Sequence, residues 1–275
     1  MRLVYICVSA ELKKLLKSKI FTISTILYFM FMFLVFFQRL YNKNSGICLN
    51  KIVMGDLISS VIFIANFLLM LFFGAVIGCC FGNFEFHNNT FHIAHLSYGR
   101  LKQHIWKIIS IIITIVEIFL ISVFLVLIFS LFRYKDIVWQ ISFKIIANQL
   151  FITILNAFEI SLFSYLISLF IKRLYISITI MVLFYIFWQR ILEKLAIVFS
   201  FVNYVINDWF TSINAFLIYQ AFSHLSSSNF IVIEQNAISK AIIPSYKGML
   251  MLSLGYLIAF VILIGIYANY ISEYK

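Results

Sequence analysis

Apolar residues along this chain fall in long unbroken runs, without the two-residue alternation of a half-buried strand or the heptads of a coiled coil. A helix needs about 20 apolar residues to cross the hydrocarbon of a bilayer. Runs that meet this length lie at 20–41, 53–82, 105–132, 143–171 and 247–271, and a shorter one at 174–190. The last of these is uninterrupted only from Leu174 to Trp188. Residues 191–246 are mixed: Glu193-Lys194 break the pattern, yet Leu195–Ile206 and Trp209–Phe222 are again apolar. That stretch reads as an outer or re-entrant helical segment. The pattern predicts an all-α, polytopic fold, one transmembrane domain of six helices over residues 1–275, with a seventh span inside 191–246 as the alternative.

The rhythm differs before the first run. At 100° per residue, Tyr5, Val8, Leu12, Leu15 and Leu16 share one side of a helix, with Lys13, Lys14 and Lys17 opposite. Residues 1–19 are therefore expected to form an amphipathic elbow helix along the cytoplasmic leaflet, with Lys13, Lys14, Lys17 and Lys19 at the lipid phosphates. A plain basic flank that only sets topology is the simpler alternative. The lysine and arginine tally is nearly even on the two sides. The lysines directly before the first span and Lys172-Arg173 in a short turn favour an inside N-terminus. Six spans then return the C-terminus to the cytoplasmic side.

Composition narrows the class. Of 275 residues 64% are apolar and 11% charged, where soluble domains carry about 25% charged residues. With 32 Phe, 15 Tyr and one Pro, the chain is neither a soluble domain nor a disordered one. A formal charge of +11 would suggest nucleic acid in a soluble protein. Here the basic residues flank apolar runs, so anionic lipid is the expected partner and nucleic acid is not. Cys7, Cys48, Cys79 and Cys80 make no disulfide framework. Leu3–Ala10 is too short for the core of a cleaved signal peptide.

The most informative polar stretch is 83–104, expected to be a cytoplasmic coupling helix. Glu85 follows the second run, Thr90 comes five residues later, Arg100 ten after that and Lys107 seven further. This order resembles the ABC-2 type permeases of bacterial ABC exporters, whose second span ends in a motif like E-x-x-x-G-T, then a Pro-x-Ser-Arg turn, with Lys seven beyond the Arg. In this sequence Asn89 replaces the glycine, Ser97 the proline and Gly99 the serine. The elbow helix and the span count are similar too, and the layout is most like the permeases of peptide and lantibiotic-immunity exporters. The resemblance implies a multi-pass bacterial plasma-membrane protein that pairs with a cytoplasmic ABC ATPase subunit and with a second permease copy or a sibling permease. It also implies ATPase coupling through Glu85, Phe86, Thr90, Phe91, Arg100 and Lys107. Glu85 and Arg100 are expected to set the angle of the coupling helix by ion pairing.

Other candidates are sparser. Glu117 and Glu159 fall within spans three and four, with Asn156 close to the latter. Buried carboxylates in a bilayer are costly and commonly line a wet path, so these three are candidates for a translocation path, or for helix–helix hydrogen bonds. His87, His92, His95 and His104 crowd into one segment, but no cysteine or second carboxylate joins them, and no metal is expected. The chain carries no G-x-x-x-x-G-K-[ST], G-x-S-x-G or H-E-x-x-H, so no cofactor and no enzyme activity are expected, with ATP bound by the partner. The expected function is export of a hydrophobic or amphipathic substrate, peptide or antimicrobial. An ATP-independent secondary transporter or channel is the alternative.

Overall fold

Helix boundaries in this chain follow local backbone chemistry. The computed structural model describes residues 2–44, 52–53, 74–87, 99–133, 137–138, 143–184 and 246–270. Among them are seven helices: α1 (Arg2–Leu16), α2 (Lys19–Asn44), α3 (Ala75–His87), α4 (Arg100–Arg133), α5 (Phe143–Ile171), α6 (Leu174–Phe184) and α7 (Tyr246–Tyr270). Two short strands, β1 (Ile52–Val53) and β2 (Ile137–Val138), pair in parallel and join the connection after α2 to the one after α4.

The break between α1 and α2 is made by Ser18. Its carbonyl accepts from the Thr22 amide at 3.0 Å and its hydroxyl from the Phe21 amide at 3.4 Å, the geometry of a helix N-cap. The two helices bend by 74° there. A second break follows α5, where Lys172 adopts φ 55° while its amide still reaches the Ser168 carbonyl at 3.0 Å. A left-handed residue of this kind closes a helix end, and Arg173 then offers its carbonyl to Ser177 to begin α6. Gly99, with φ 77° and its carbonyl accepting from the Gln103 amide, opens α4 in the same way.

Helix α3 is the centre of the fold: every residue from Gly74 to Glu85 is buried. It lies against α5 through Gly74, Gly78 and Gly82, spaced four apart on one face. A Cβ at Gly78 would stand 2.7 Å from the Ser164 Cβ and 2.8 Å from the Tyr165 nitrogen. Cβ atoms at Gly74 and Gly82 would overlap Ile160 and Ser168. Small residues at this spacing let two helix backbones meet. Tyr28 of α2 donates to the Ser122 hydroxyl of α4 at 2.9 Å, since that hydroxyl's own proton goes to the Ile118 carbonyl. Tyr267 of α7 donates to the Leu169 carbonyl of α5 at 3.1 Å.

Apolar side chains occupy both the inside and the outside of the bundle. Among the apolar side chains of the interior sit small hydroxyls, and Ser110, Thr114, Ser122, Ser164, Ser168 and Ser177 each donate to a carbonyl three or four residues back in their own helix or the turn before it. This satisfies the hydroxyl without water. Large apolar side chains such as Met30, Phe124, Ile180 and Ile258 face outward. Within α4, Leu101–Leu125 is long and apolar enough to cross a membrane, and α1 with α2 passes the same test as a bent pair. The described residues thus support one such helix, or two if that pair counts as one span, and not the six that sequence periodicity predicts. Part of the reason is that most of 185–245 and of the run at 53–82 lies outside the described residues. Within that run, Val53 belongs to β1, and α3 continues past residue 82 to His87.

These contacts make the glycines of α3 unequal to those of α7. Gly78→Ala is expected to destabilise the purified chain by about 1–3 kcal/mol, the range for overpacking a core. Gly255→Ala, whose Cβ meets nothing within 4 Å, leaves the thermal midpoint unchanged or raises it. Equal losses at the two positions in thermal unfolding would contradict the packing.

Candidate functional site

At the end of the bundle where α3 stops and α4 starts, the small hydroxyls give way to charge. Glu85, three residues beyond Gly82 on α3, and Lys107, on the second turn of α4, are buried to 2% and 1% exposure. Their side chains form an ion pair at 2.7 Å. Gln103, one turn before Lys107, donates to the same Glu85 oxygen. Lys14 of α1 approaches the other Glu85 oxygen at 3.7 Å and pairs with Glu11 at 2.6 Å. The cluster is therefore a four-charge chain, Glu11–Lys14–Glu85–Lys107, that ties α1, α3 and α4 together. An isolated buried charge is far too costly to keep, and each member here has an opposite charge within reach.

Burial alone would lower the Lys14 ammonium. The hydrogen bond and charge of Glu11, followed by the charge and hydrogen bond of Glu85, outweigh it, and the group is raised above its ordinary 10.5. A raised lysine adds stability that is whole below the unfolded value and disappears as pH climbs through the folded one.

Next to this chain, His104 bonds to the Tyr165 hydroxyl of α5 and meets the Tyr267 ring of α7 edge-on, centroids 6.1 Å apart. Asn83 reaches the opposite way, donating to the Ser177 hydroxyl of α6 and to the Cys79 carbonyl, both at 3.3 Å. Lys172, in the turn after α5, holds its ammonium 5.3 Å from the centre of the Phe86 ring, a cation–π distance. Six of the seven described helices thus meet this end through polar side chains or the Lys172 turn.

The sequence-predicted site residues distribute unevenly. Glu85, Phe86 and Lys107 come together here. Glu85 pairs with Lys107 and Lys14, whereas the expected partner was Arg100, whose side chain lies outside the described residues, as do Thr90 and Phe91 entirely. Phe84, two residues before Phe86, is buried in the core. Lys13, Lys17 and Lys19 are exposed, and Lys14 is divided between water and the cluster. Glu159 is fully buried in α5, and its charge acts on Tyr256 of α7. Glu117 lies on the exposed face of α4 with Leu120, Ile121 and Phe124, away from Glu159. The side chain of Asn156 lies outside the described residues, with the side chain of His87 and all of His92 and His95. Among the described residues no three His, Cys, Asp or Glu side chains gather to hold a metal.

Sequence reasoning passed over Glu11, Gln103, Asn83, Tyr165 and the three glycines. Signals existed for some of them: the Glu11/Lys14 spacing of three on one helix, and G-x-x-x-G-x-x-x-G across residues 74–82; Gln103, Asn83 and Tyr165 carry no such pattern. No protein-family model, curated protein or solved structure matches the chain.

Removing one partner of a buried ion pair costs about 3–5 kcal/mol, because the other charge is stranded. Glu85→Gln and Lys107→Met are each expected to lose stability of that order, and the double variant to recover most of it. Strictly additive losses in the double-mutant cycle would show that the pair is not coupled. In an alkaline titration, wild type and Lys14→Met differ by a constant amount below pH 10.5 and converge above it. A gap that persists to the alkaline limit would assign the stabilisation to packing of the lysine stem.

Proposed function

We propose that the chain is the membrane-spanning permease subunit of a bacterial ABC exporter, which moves a hydrophobic or amphipathic substrate while a separate cytoplasmic ATPase subunit hydrolyses ATP. Membrane residence is supported by the many large apolar side chains exposed on the outside of the bundle. Helices α2, α4, α5 and α7 run 26, 34, 29 and 25 residues, so each is about 37 Å or longer at 1.5 Å per residue, against roughly 30 Å of hydrocarbon. In this reading they are four of six spans in the plasma membrane, α1 is the elbow helix on the cytoplasmic leaflet, and both termini are cytoplasmic.

The observation that carries the transporter reading is the charged chain from α1 through Glu85 to Lys107. A subunit without an ATP site has to receive force at its cytoplasmic end and deliver it to its spans. Here the end of α3 and the start of α4 are joined by a buried ion pair, and α1 by the half-exposed Lys14, so a push on the segment after His87 moves α3 and α4 together and reaches α1 through the looser contact. Residues 88–98, with Thr90 and Phe91, and Arg100 at the start of α4 would meet the ATPase. Lys107 and Glu85 hold the joint behind them. A second permease copy or sibling completes the transporter, and the chain itself performs no catalysis and binds no cofactor. The alternative, an ATP-independent secondary transporter or channel, draws on Glu159, a carboxyl buried partway along an apolar helix.

Purifying the tagged chain in mild detergent from its native host separates these readings. A P-loop ATPase is expected to accompany it in about equal amount and to be lost on combining Phe91→Ala with Arg100→Ala, which leave the Glu85–Lys107 pair intact. A chain that arrives alone and moves a solute across liposomes without ATP would replace the exporter with the secondary transporter.

A further inference from the structure

The end of the bundle that carries the buried charges has a second, outward chemistry. Its two described acids, Glu11 and Glu85, are buried and paired with lysines of the chain. Its remaining cations are not: Lys13 and Lys17 of α1, Lys19 of α2, Lys102 of α4 and Arg173 of the α5–α6 turn are all exposed. They belong to one end because their sequence neighbours meet there. Lys14 touches Glu85, Gln103 touches Glu85, and Lys172 lies over Phe86. Three of these cations also stand beside large exposed apolar groups. Leu16 precedes Lys17, Leu101 precedes Lys102, and Tyr175 follows Arg173 by two residues; they are 68%, 44% and 69% exposed. Apolar side chains facing out directly beside cations are the arrangement of a membrane–water boundary, where the stem lies in hydrocarbon and the charge reaches the headgroups.

We propose that Lys13, Lys17, Lys19, Lys102 and Arg173 form a multi-helix binding surface for the phosphate groups of anionic phospholipids, which stabilise the folded chain through this face. The proposal rests on the membrane reading above but not on the ATPase. Four separate segments of the bundle supply the charges, so an anionic leaflet bridges them from outside as the Glu11–Lys14–Glu85–Lys107 chain bridges three of the helices from inside. Internal pairing of Glu11 and Glu85 leaves the five described cations facing outward without an acid of their own among the described residues. The attraction is electrostatic at an aqueous boundary, and so it weakens with salt.

The test is thermal unfolding of the purified full-length chain in neutral detergent micelles doped with phosphatidylglycerol, with phosphatidylcholine, or supplied with inorganic phosphate alone. Phosphatidylglycerol is expected to raise Tm by about 5 °C over phosphatidylcholine, and the gain to shrink on moving to half-molar salt. Combining Lys13→Gln, Lys17→Gln, Lys102→Gln and Arg173→Gln removes the gain while leaving Tm in phosphatidylcholine at the wild-type value. The matching lysine-to-arginine variant keeps it. An equal gain from phosphatidylcholine, the same gain from inorganic phosphate, or a glutamine variant that still responds overturns the proposal. So does a glutamine variant that responds to lipid normally but loses a bound ATPase, since the surface would then serve a protein. Absence of any ATPase in the co-purification leaves the lipid result standing, whereas a chain that is monodisperse without detergent sinks the membrane reading itself.

Discussion

Backbone contact between α3 and α5 is the constraint from which the rest of the structure follows. Three glycines, 74, 78 and 82, remove every side chain from one face of α3, and Ser161, Ser164 and Ser168 of α5 fill the space they leave. In an apolar solvent burial provides little drive to bring helices together, and close van der Waals contact takes its place. A helix held this closely cannot rotate or slide without driving a Cβ into a backbone. The register of everything beyond Gly82 is then fixed as well: Asn83 turned toward Ser177 of α6, and Glu85 toward Lys107 of α4 and Lys14 of α1.

That fixed register explains why ions are tolerated at one end and scarcely elsewhere. Elsewhere the described interior is apolar side chains with serine and threonine hydroxyls that spend their hydrogen bonds on their own helices. Charge appears where α3 ends, with Glu85 in reach of Lys107 and Gln103 of α4 and Lys14 of α1. Glu159 is the exception, a fully buried acid with the Tyr256 phenol within its electrostatic range, and Glu117 the opposite case, an acid turned outward among apolar side chains. The pair cannot be treated as one path on the strength of similar depth in the sequence.

How much of this was legible beforehand divides along physical lines. Long apolar runs made α4 and α5 plain, because periodicity reports burial along a single helix. The first helix was legible too, and Val8 and Leu15 are buried as its pattern predicts, but Leu16, assigned to the same side, is 68% exposed while Glu11 is buried. Glu85 and Lys107 were singled out through a family motif, but their pairing was not. Arg100 looked the equal of Lys107 as a cation, and only the start of α4 at Gly99 places Lys107 two turns in, level with Glu85. Phe84 and Phe86 looked alike as apolar residues flanking an acid. One is core and the other lies under Lys172, a difference set by packing between helices that no single-helix pattern contains. The glycines were visible as a spacing and were missed because a lone apolar run gives no reason to look for what it leaves out.

Burial of Glu85 also changes what a coupling residue can mean in the proposed transporter. A carboxylate at 2% exposure is not a contact for another protein. It is a joint, and its opposite charges are supplied from inside the chain by Lys107 and Lys14. Force that reaches residues 88–98 would pass to α3 through the helix itself, to α4 through the ion pair, and to α1 through the half-exposed Lys14. The weakest link is then Lys14, whose longer 3.7 Å approach to Glu85 and partial solvation let it part from Glu85 at the least cost while keeping Glu11. Motion that separates α1 from the α3–α4 corner therefore breaks the chain at that contact and leaves the buried pair whole. The elbow can tilt on its 74° bend without stranding a charge in the core.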